Sequence, residues 1–110
     1  MKKSLTKKQR LTVKQIKLVF KGQKKVKGAF SKLVYNENNL PFCRFAVSVG
    51  KKNGNAVMRN TLKRKARESL RQHKYYIKQG LDLVWVLYPS PLPLNFDEEL
   101  LKLLNKMSLK

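Results

Sequence analysis

The cationic side chains between Lys51 and Arg71 are the densest group of potential binding residues in the sequence. Eight lysines and arginines in this segment are accompanied by one acidic residue, Glu68. Solvated helix faces usually mix signs, so that acids and bases pair along the helix. This many like charges repel one another unless a polyanion neutralises them, and guanidinium groups match phosphate oxygens in both charge and geometry. The segment is therefore typical of a surface that binds nucleic acid.

The same segment predicts a turn followed by a helix with two distinct sides. Residues 53–55 combine tolerance of positive φ with a side chain that can cap a helix. Turning by about 100° per residue, a helix from residue 56 places on one side Met58, Leu62, Ala66, Ser69 and Leu70. A separate arc of roughly 100° holds four cations and one amide, namely Asn60, Lys63, Arg64, Arg67 and Arg71. We expect the first side to enter a core and the second to face the polyanion.

Length, charge and cysteine content limit the class of protein. A chain of 110 residues with 42% hydrophobic residues predicts one folded domain, residues 1–110, with a modest core. Its 26 Lys and Arg against 6 Asp and Glu give a net charge of +20, which attracts polyanions. Cys43 is the one cysteine, so neither a disulfide nor a cysteine zinc site is expected. Apolar runs are too short to span a bilayer, and we expect a cytoplasmic protein without a membrane partner.

Periodicity and capping signals predict seven elements after a flexible basic arm at residues 1–11. In order, these are a helix at 13–21, strands near Val26, at 30–35 and at 44–49, the long basic helix, a buried strand at 81–88 and a helix after an Asn95 cap. The order α-β-β-β-α-β-α predicts a small α+β sandwich. We expect a mixed, mostly antiparallel sheet covered by helices.

The segment from Arg44 to Glu68 closely resembles the signature of the bacterial ribonuclease P protein subunit. Its most specific part is Gly54-Asn55-Ala56-Val57-x-Arg59-Asn60-x-x-Lys63-Arg64-x-x-Arg67-Glu68. A strand and two lysines precede this part, as they do in the family. The resemblance also covers chain length, the first helix and the order of elements, so it spans most of the chain.

The resemblance implies an accessory subunit of a ribonucleoprotein endoribonuclease, which removes the 5′ leader of precursor tRNA. Its partners would be the ribonuclease P catalytic RNA and precursor tRNA, with no obligate protein partner. The RNA would hold the catalytic Mg²⁺, so no protein-bound cofactor, catalytic residue or metal ligand is expected in the polypeptide. The residues expected to contact RNA, with Arg71 added from the cationic arc, are Lys51, Lys52, Asn55, Arg59, Asn60, Lys63, Arg64 and Arg67.

The family also has a cleft between the first helix and the sheet that receives the single-stranded leader. The resemblance places its apolar lining at Ile16, Phe20 and Leu33. Aromatic faces stack on unpaired bases without demanding a sequence, although core packing would equally explain Phe20. Ile16 stands where the family often has an aromatic residue, and Thr61 where it commonly has an arginine. We expect weaker base stacking at the first position and a lost peripheral phosphate contact at the second.

Other functional classes compete with this interpretation. A ribosomal or assembly-type RNA scaffold protein would share the charge and fold, but would bind RNA equally with or without a leader. A cationic membrane-surface protein needs bulky apolar residues opposite its charges, where this helix has Ala66 and Ser69. A sequence-specific DNA-binding protein would show a helix-turn-helix pattern, which the sequence lacks. Catalysis by the polypeptide would need clustered carboxylates or a positioned histidine, whereas His73 and the acids at 97–99 are explained by helix ends.

Overall fold

The computed structural model describes residues 9–22, 24–77, 79–89 and 95–108. The order of its elements is the predicted α-β-β-β-α-β-α. The elements are α1 (Val13–Gly22), β1 (Lys25–Lys27), β2 (Ser31–Glu37), β3 (Arg44–Val49), α2 (Ala56–His73), β4 (Leu81–Leu87) and α3 (Phe96–Ser108). Short 3-10 turns, Lys51–Asn53 and Lys74–Tyr76, flank α2.

The four strands form one sheet in the order β1-β2-β4-β3. β1 pairs with β2 and β2 with β4 in antiparallel fashion, whereas β3 and β4 are parallel. This arrangement confirms the predicted mixed, mostly antiparallel sheet. β4 is central and covered on both faces, which explains why its sequence is nearly continuously apolar.

Helices cover both faces of the sheet, so that two cores form. α1 packs on one face around Val19, Val34 and Val84. α2 and α3 pack on the other face, where Trp85 and Leu100 are fully buried. The long basic helix is therefore attached to the sheet by the face opposite to the one that α1 covers.

α1 begins with the predicted capping box. The backbone N–H of Thr12 donates to Oε1 of Gln15 at 2.8 Å, and the N–H of Gln15 donates to Oγ1 of Thr12 at 3.3 Å. Two N–H groups that the first turn leaves without helical partners are thereby satisfied. The helix ends at Gly22, the glycine predicted to terminate it.

The basic arm that we predicted for residues 1–11 is described only from residue 9 onward. Arg10 forms a parallel bridge with Phe45. The N–H of Leu11 donates to the carbonyl of Phe45 at 3.0 Å. These two residues therefore belong to the sheet edge rather than to an arm, because the outer edge of β3 offers backbone groups that they can pair.

Glu99 connects α3 to the turn between β1 and β2. Its carboxylate accepts hydrogen bonds from the N–H of Ala29 at 3.1 Å, the N–H of Phe30 at 2.9 Å and Oγ of Ser31 at 2.7 Å. A Cβ at Gly28 would lie 2.5 Å from this carboxylate, so the turn needs glycine there. We explained the acids at 97–99 by the start of a helix, but Glu99 is buried and has this additional role.

Cys43 gives a prediction about the reactivity of its thiol. The residue is buried, and burial raises the pKa of its thiol above the ordinary value, with a further rise from the nearby Asp82. Because the thiolate is the reactive form, we expect a maleimide to label the native protein far more slowly than the urea-unfolded protein at mildly alkaline pH. Equal labelling rates in the two states, measured by mass spectrometry, would contradict this expectation.

Candidate RNA-binding site

The start of α2 is organised by the turn that the sequence predicted. Gly54 has φ of +119°, in the region that favours glycine. Asn55 is the N-cap, and its Oδ1 accepts a hydrogen bond from the N–H of Met58 at 2.9 Å. Asn53 connects the preceding turn to the end of β4, because its Nδ2 donates to the carbonyl of Leu87 at 3.3 Å. The direction in which α2 leaves the sheet is thereby fixed.

Replacing the cap tests how much α2 depends on it. We expect Asn55→Ala to lower the free energy of unfolding by about 1 kcal/mol, because one backbone N–H loses its acceptor. Asn55→Ser should preserve most of the stability, since serine caps helices nearly as well. Urea unfolding followed by circular dichroism measures both variants. Equal stabilities of the two variants would show that the cap is not what matters.

The predicted division of α2 into sides is correct except in its first turn. Ala66, Ser69 and Leu70 are buried, and Leu62 packs partly against the core. Met58 was expected on the buried side, but this prediction is wrong, because its side chain is 55% exposed. The helix has 18 residues, about 27 Å, whereas β3 beneath it has 6, about 20 Å. The first turn of α2 therefore extends beyond the core.

The cationic arc of α2, which we call the cationic strip, differs in accessibility along its length. Its most accessible members are Asn60, Arg64 and Arg67, and the preceding Lys51 and Lys52 are exposed as well. The other two members of the strip, Lys63 and Arg71, are half-buried, and so is Arg59, which lies outside the strip. Charges that protrude in this way are available to phosphate groups.

Arg71 and Arg59, two of the arginines predicted to contact RNA, are less available to phosphate groups than the others. Nε of Arg71 donates to Oε2 of Glu68 at 2.9 Å, and its Nη2 donates to Oε1 of the same carboxylate. The hydrogen bond between them lowers the pKa of Glu68 and raises that of Arg71. Nε of Arg59 is buried and has no hydrogen-bond partner among the described residues. Arg64 and Arg67 are thus the better candidates for direct phosphate contacts.

A cavity of about 460 Å³ brings part of the cationic strip together with Ile16, one of the three residues predicted for the leader cleft. It opens between the segment before α1, the start of α1, the outer strand β3 and α2. Its lining residues are Arg10, Leu11, Ile16, Phe45, Ala46, Val47, Arg64, Arg67, Glu68, Leu70 and Arg71. The lining therefore combines apolar side chains with four guanidinium groups.

The three residues predicted to line the leader cleft lie in different places. Ile16 is half-buried and lines the cavity. Phe20 follows it by one turn of α1 and is 39% exposed, so part of its ring is accessible. The prediction for Leu33 is wrong, because this side chain is buried on the other face of the sheet, in the core under α2 and α3. Val34 faces α1 in its place.

Arg10 and Ala46 line the cavity but were not predicted from the sequence. Arg10 reaches the cavity through its bridge to β3, and this pairing joins residues 35 positions apart in the chain. Its positive charge was the one available signal, and it was shared with the rest of the basic arm. Ala46 could not be predicted as a cavity residue, because in the sequence it is a small side chain that shares a strand face with Arg44 and Ser48.

Asp82 and Asp97 also have structural partners. Asp82 accepts from Nε and Nη2 of Arg44 at 2.8 and 2.7 Å, and this pairing raises the pKa of Arg44. Asp97 accepts from Oγ of Ser69.

In the described ranges, no three His, Cys, Asp or Glu side chains are placed to share a metal ion. None of the helices in those ranges is long and apolar enough to cross a membrane.

The fold is a small basic α+β domain, and its exposed cationic helix borders a cavity lined by both apolar and cationic side chains. These features define a nucleic-acid-binding protein. The family model described as Ribonuclease P matches residues 5–109. The ribonuclease P protein component of Acholeplasma laidlawii is 35% identical over 98 residues, 86% of this chain and 84% of that protein. The one from Thermotoga maritima is 34% identical over 85 residues, 76% and 73% of the two chains.

Solved structures agree with this assignment. The ribonuclease P protein from Thermotoga maritima superposes with a TM-score of 0.76 at 30% identity, covering 88% of this chain and 96% of that one. A Staphylococcus aureus ribonuclease P protein mutant shares the fold, with a TM-score of 0.82 at 24% identity and coverages of 93% and 90%. The chain therefore belongs to the ribonuclease P protein family, whose members are protein components of a ribonucleoprotein endoribonuclease.

Proposed function

We propose that this chain binds the catalytic RNA of ribonuclease P and the 5′ leader of precursor tRNA. In this proposal the RNA performs the cleavage with Mg²⁺ that it holds itself, in the cytoplasm, and the protein supplies no reacting group. The observation that carries the proposal is the cavity whose lining includes Ile16 of α1 together with Arg64 and Arg67 of α2. A single strand needs both surfaces, an apolar wall for its bases and cations for its phosphates.

The proposed mechanism is electrostatic and steric. Catalytic RNA and precursor tRNA repel each other through their phosphates, and a protein with a net charge of +20 reduces that repulsion. Less Mg²⁺ should then be needed for the two RNAs to associate. Contacts to the leader would favour precursor tRNA over mature tRNA, because the mature form has lost the leader.

Leader contacts are tested by comparing two substrates and two variants. The holoenzyme is assembled from this protein and a bacterial ribonuclease P RNA, and its affinity for precursor and mature tRNA is measured. We expect the protein to strengthen binding of the precursor alone. Phe20→Ala should weaken precursor binding roughly tenfold, which is typical of losing one base stacked on an aromatic ring.

The matched control is Leu18→Ala, a change on the same helix at a side chain that is 60% exposed. It should leave both affinities unchanged. If the protein strengthens the binding of precursor and mature tRNA equally, the leader plays no part, and a general RNA scaffold becomes the better description. If Phe20→Ala and Leu18→Ala behave alike, Phe20 does not contact the leader.

A further inference from the structure

The first two turns of α2 carry exposed apolar side chains that do not line the cavity. Val57 is 75% exposed and Met58 is 55% exposed. Thr61 and Leu62 follow one turn later on the same side. The end of β4 brings Tyr88, which is 38% exposed, to the same place. These side chains enclose a groove of about 370 Å³, which we call the Tyr88 groove.

The walls of the Tyr88 groove are held by local contacts. A Cβ at Gly54 would lie 2.8 Å from Sδ of Met58, so the thioether packs directly over the glycine backbone. The hydrogen bond from Asn53 to the carbonyl of Leu87 holds the turn before α2 against the residue that precedes Tyr88. The groove is therefore formed before any ligand arrives, which reduces the entropic cost of binding.

The charge around the Tyr88 groove is positive. Lys52 lines it and Lys51 precedes Lys52 in the same exposed turn. Among the described residues that line the groove, none is acidic. Val57 lies seven residues before Arg64, two turns away on nearly the same side of α2, so the groove adjoins the cationic strip. A polyanion bound to the strip would pass directly beside the groove.

We propose that the Tyr88 groove holds one unpaired nucleotide of the RNA partner. The base would lie against the Tyr88 ring and the Met58 thioether, and its phosphate would lie at Lys52. Unpaired bases stack on aromatic side chains whatever their identity, and a lysine rim suits their phosphates. An apolar peptide would match the walls of the groove but would gain nothing from the cations. The inference rests on the proposed function only for the identity of the RNA.

A pair of probes separates base contacts from phosphate contacts. A short oligouridylate and an abasic strand of equal length carry the same phosphates, and only the first can stack. We expect Tyr88→Leu to weaken oligouridylate binding roughly tenfold and to leave the abasic strand unaffected, because leucine keeps the bulk without an aromatic face. Lys52→Ala should weaken the binding of both strands. Fluorescence anisotropy with the full chain measures all four affinities.

Tyr76 provides the matched control, since it is an exposed tyrosine in the turn after α2, at the opposite end of that helix from the groove. Tyr76→Leu should change neither affinity, and Tyr88→Phe should bind oligouridylate as the unchanged protein does. If Tyr88→Leu folds poorly, Val57→Ser makes another lining residue of the groove polar and should give the same selective loss. Circular dichroism melting establishes which variants are folded.

A spectroscopic variant reports stacking directly. Trp85 is fully buried and gives a constant background. Tyr88→Trp adds an indole in the groove, and we expect oligouridylate to quench its emission while the abasic strand does not. Tyr76→Trp should show no quenching by either strand.

Several results would overturn the inference. If Tyr88→Leu and Val57→Ser prefer oligouridylate over the abasic strand as strongly as the unchanged protein does, no base lies in the groove. If these variants keep that preference but have a lower melting temperature, a segment of the chain itself occupies the groove. The two proposals can also fail separately. If precursor tRNA shows no leader-dependent binding but Tyr88→Leu weakens oligouridylate binding alone, the groove still holds a base, and only the identity of the RNA is rejected.

Discussion

Arg64→Ala combined with Arg67→Ala should weaken binding to a ribonuclease P RNA roughly thirtyfold. Each guanidinium is exposed on the cationic strip and lines the cavity, and losing a charge-assisted phosphate contact costs about 1 kcal/mol or more. If the unchanged protein neutralises about six phosphates, the log–log slope of affinity against salt should be roughly −4 to −5. The double variant should make this slope shallower by about 1.5. Filter binding over a salt series measures both quantities.

The control removes equal charge from another surface. Lys65→Ala combined with Lys102→Ala takes one exposed cation from α2 and one from α3, neither of which lines the cavity. The net charge falls by the same amount, so a purely non-specific attraction would weaken equally in the two variants. We expect the control to retain nearly full affinity. Equal loss in both double variants, or a slope near −1 for the unchanged protein, would contradict the assignment of the strip.

Glu99→Ala should be strongly destabilising, by roughly 3 to 5 kcal/mol. The carboxylate accepts from Ala29, Phe30 and Ser31, and its loss leaves buried donors without partners. The effect extends to β4, because Nε1 of Trp85 donates to Oγ of Ser31 at 2.9 Å. Such a loss is a large part of the total stability of a small domain. Chemical unfolding followed by Trp85 fluorescence gives the free energy.

Glu98→Ala is the matched control for this prediction. Glu98 is adjacent in sequence and exposed, and it pairs with Lys102 at 3.1 Å on the surface of α3. Exposed pairs of this kind contribute less than about 1 kcal/mol. The free energy of unfolding of Glu99→Gln should lie between those of Glu98→Ala and Glu99→Ala. Glutamine keeps one acceptor oxygen but turns an amide donor toward the turn. Similar stabilities for Glu98→Ala and Glu99→Ala would show that the buried contacts of Glu99 are unimportant.

Features that depend on neighbours in sequence were predicted well. The capping box at Thr12 and Gln15, the N-cap at Asn55 and the second N-cap at Asn95 each join residues three positions apart. Their geometry is set by the local backbone, so the sequence contains the necessary information. The order of the elements and the cationic arc of α2 follow from periodicity for the same reason.

Features that depend on distant pairing were not predictable. Leu33 and Val34 are both apolar, so alternation could not tell which one faces α1. The register with β4 decides, by placing Leu33 opposite Trp85 and Val34 opposite Val84. A shift of one residue would exchange the two faces. Glu99 likewise finds its partners about 70 residues away in the chain.

The cavity combines both kinds of information. Its cationic wall follows from the helical spacing of Arg64 and Arg67, which the sequence displays directly. Its other walls require Arg10 and Leu11 to pair with the outer edge of β3, a contact between distant segments. The charge of the site could therefore be predicted, whereas its shape had to be observed.

The most direct test of the central claim is cleavage of a 5′-extended precursor tRNA at low Mg²⁺. Three reactions are compared, with this protein alone, with a bacterial ribonuclease P RNA alone and with both together. We expect leader removal only when both are present, and its loss when Arg64 and Arg67 are both replaced by alanine. Cleavage by the protein alone would contradict the claim that the RNA carries the chemistry. Absence of cleavage with both together would contradict the assignment of this chain as the protein subunit.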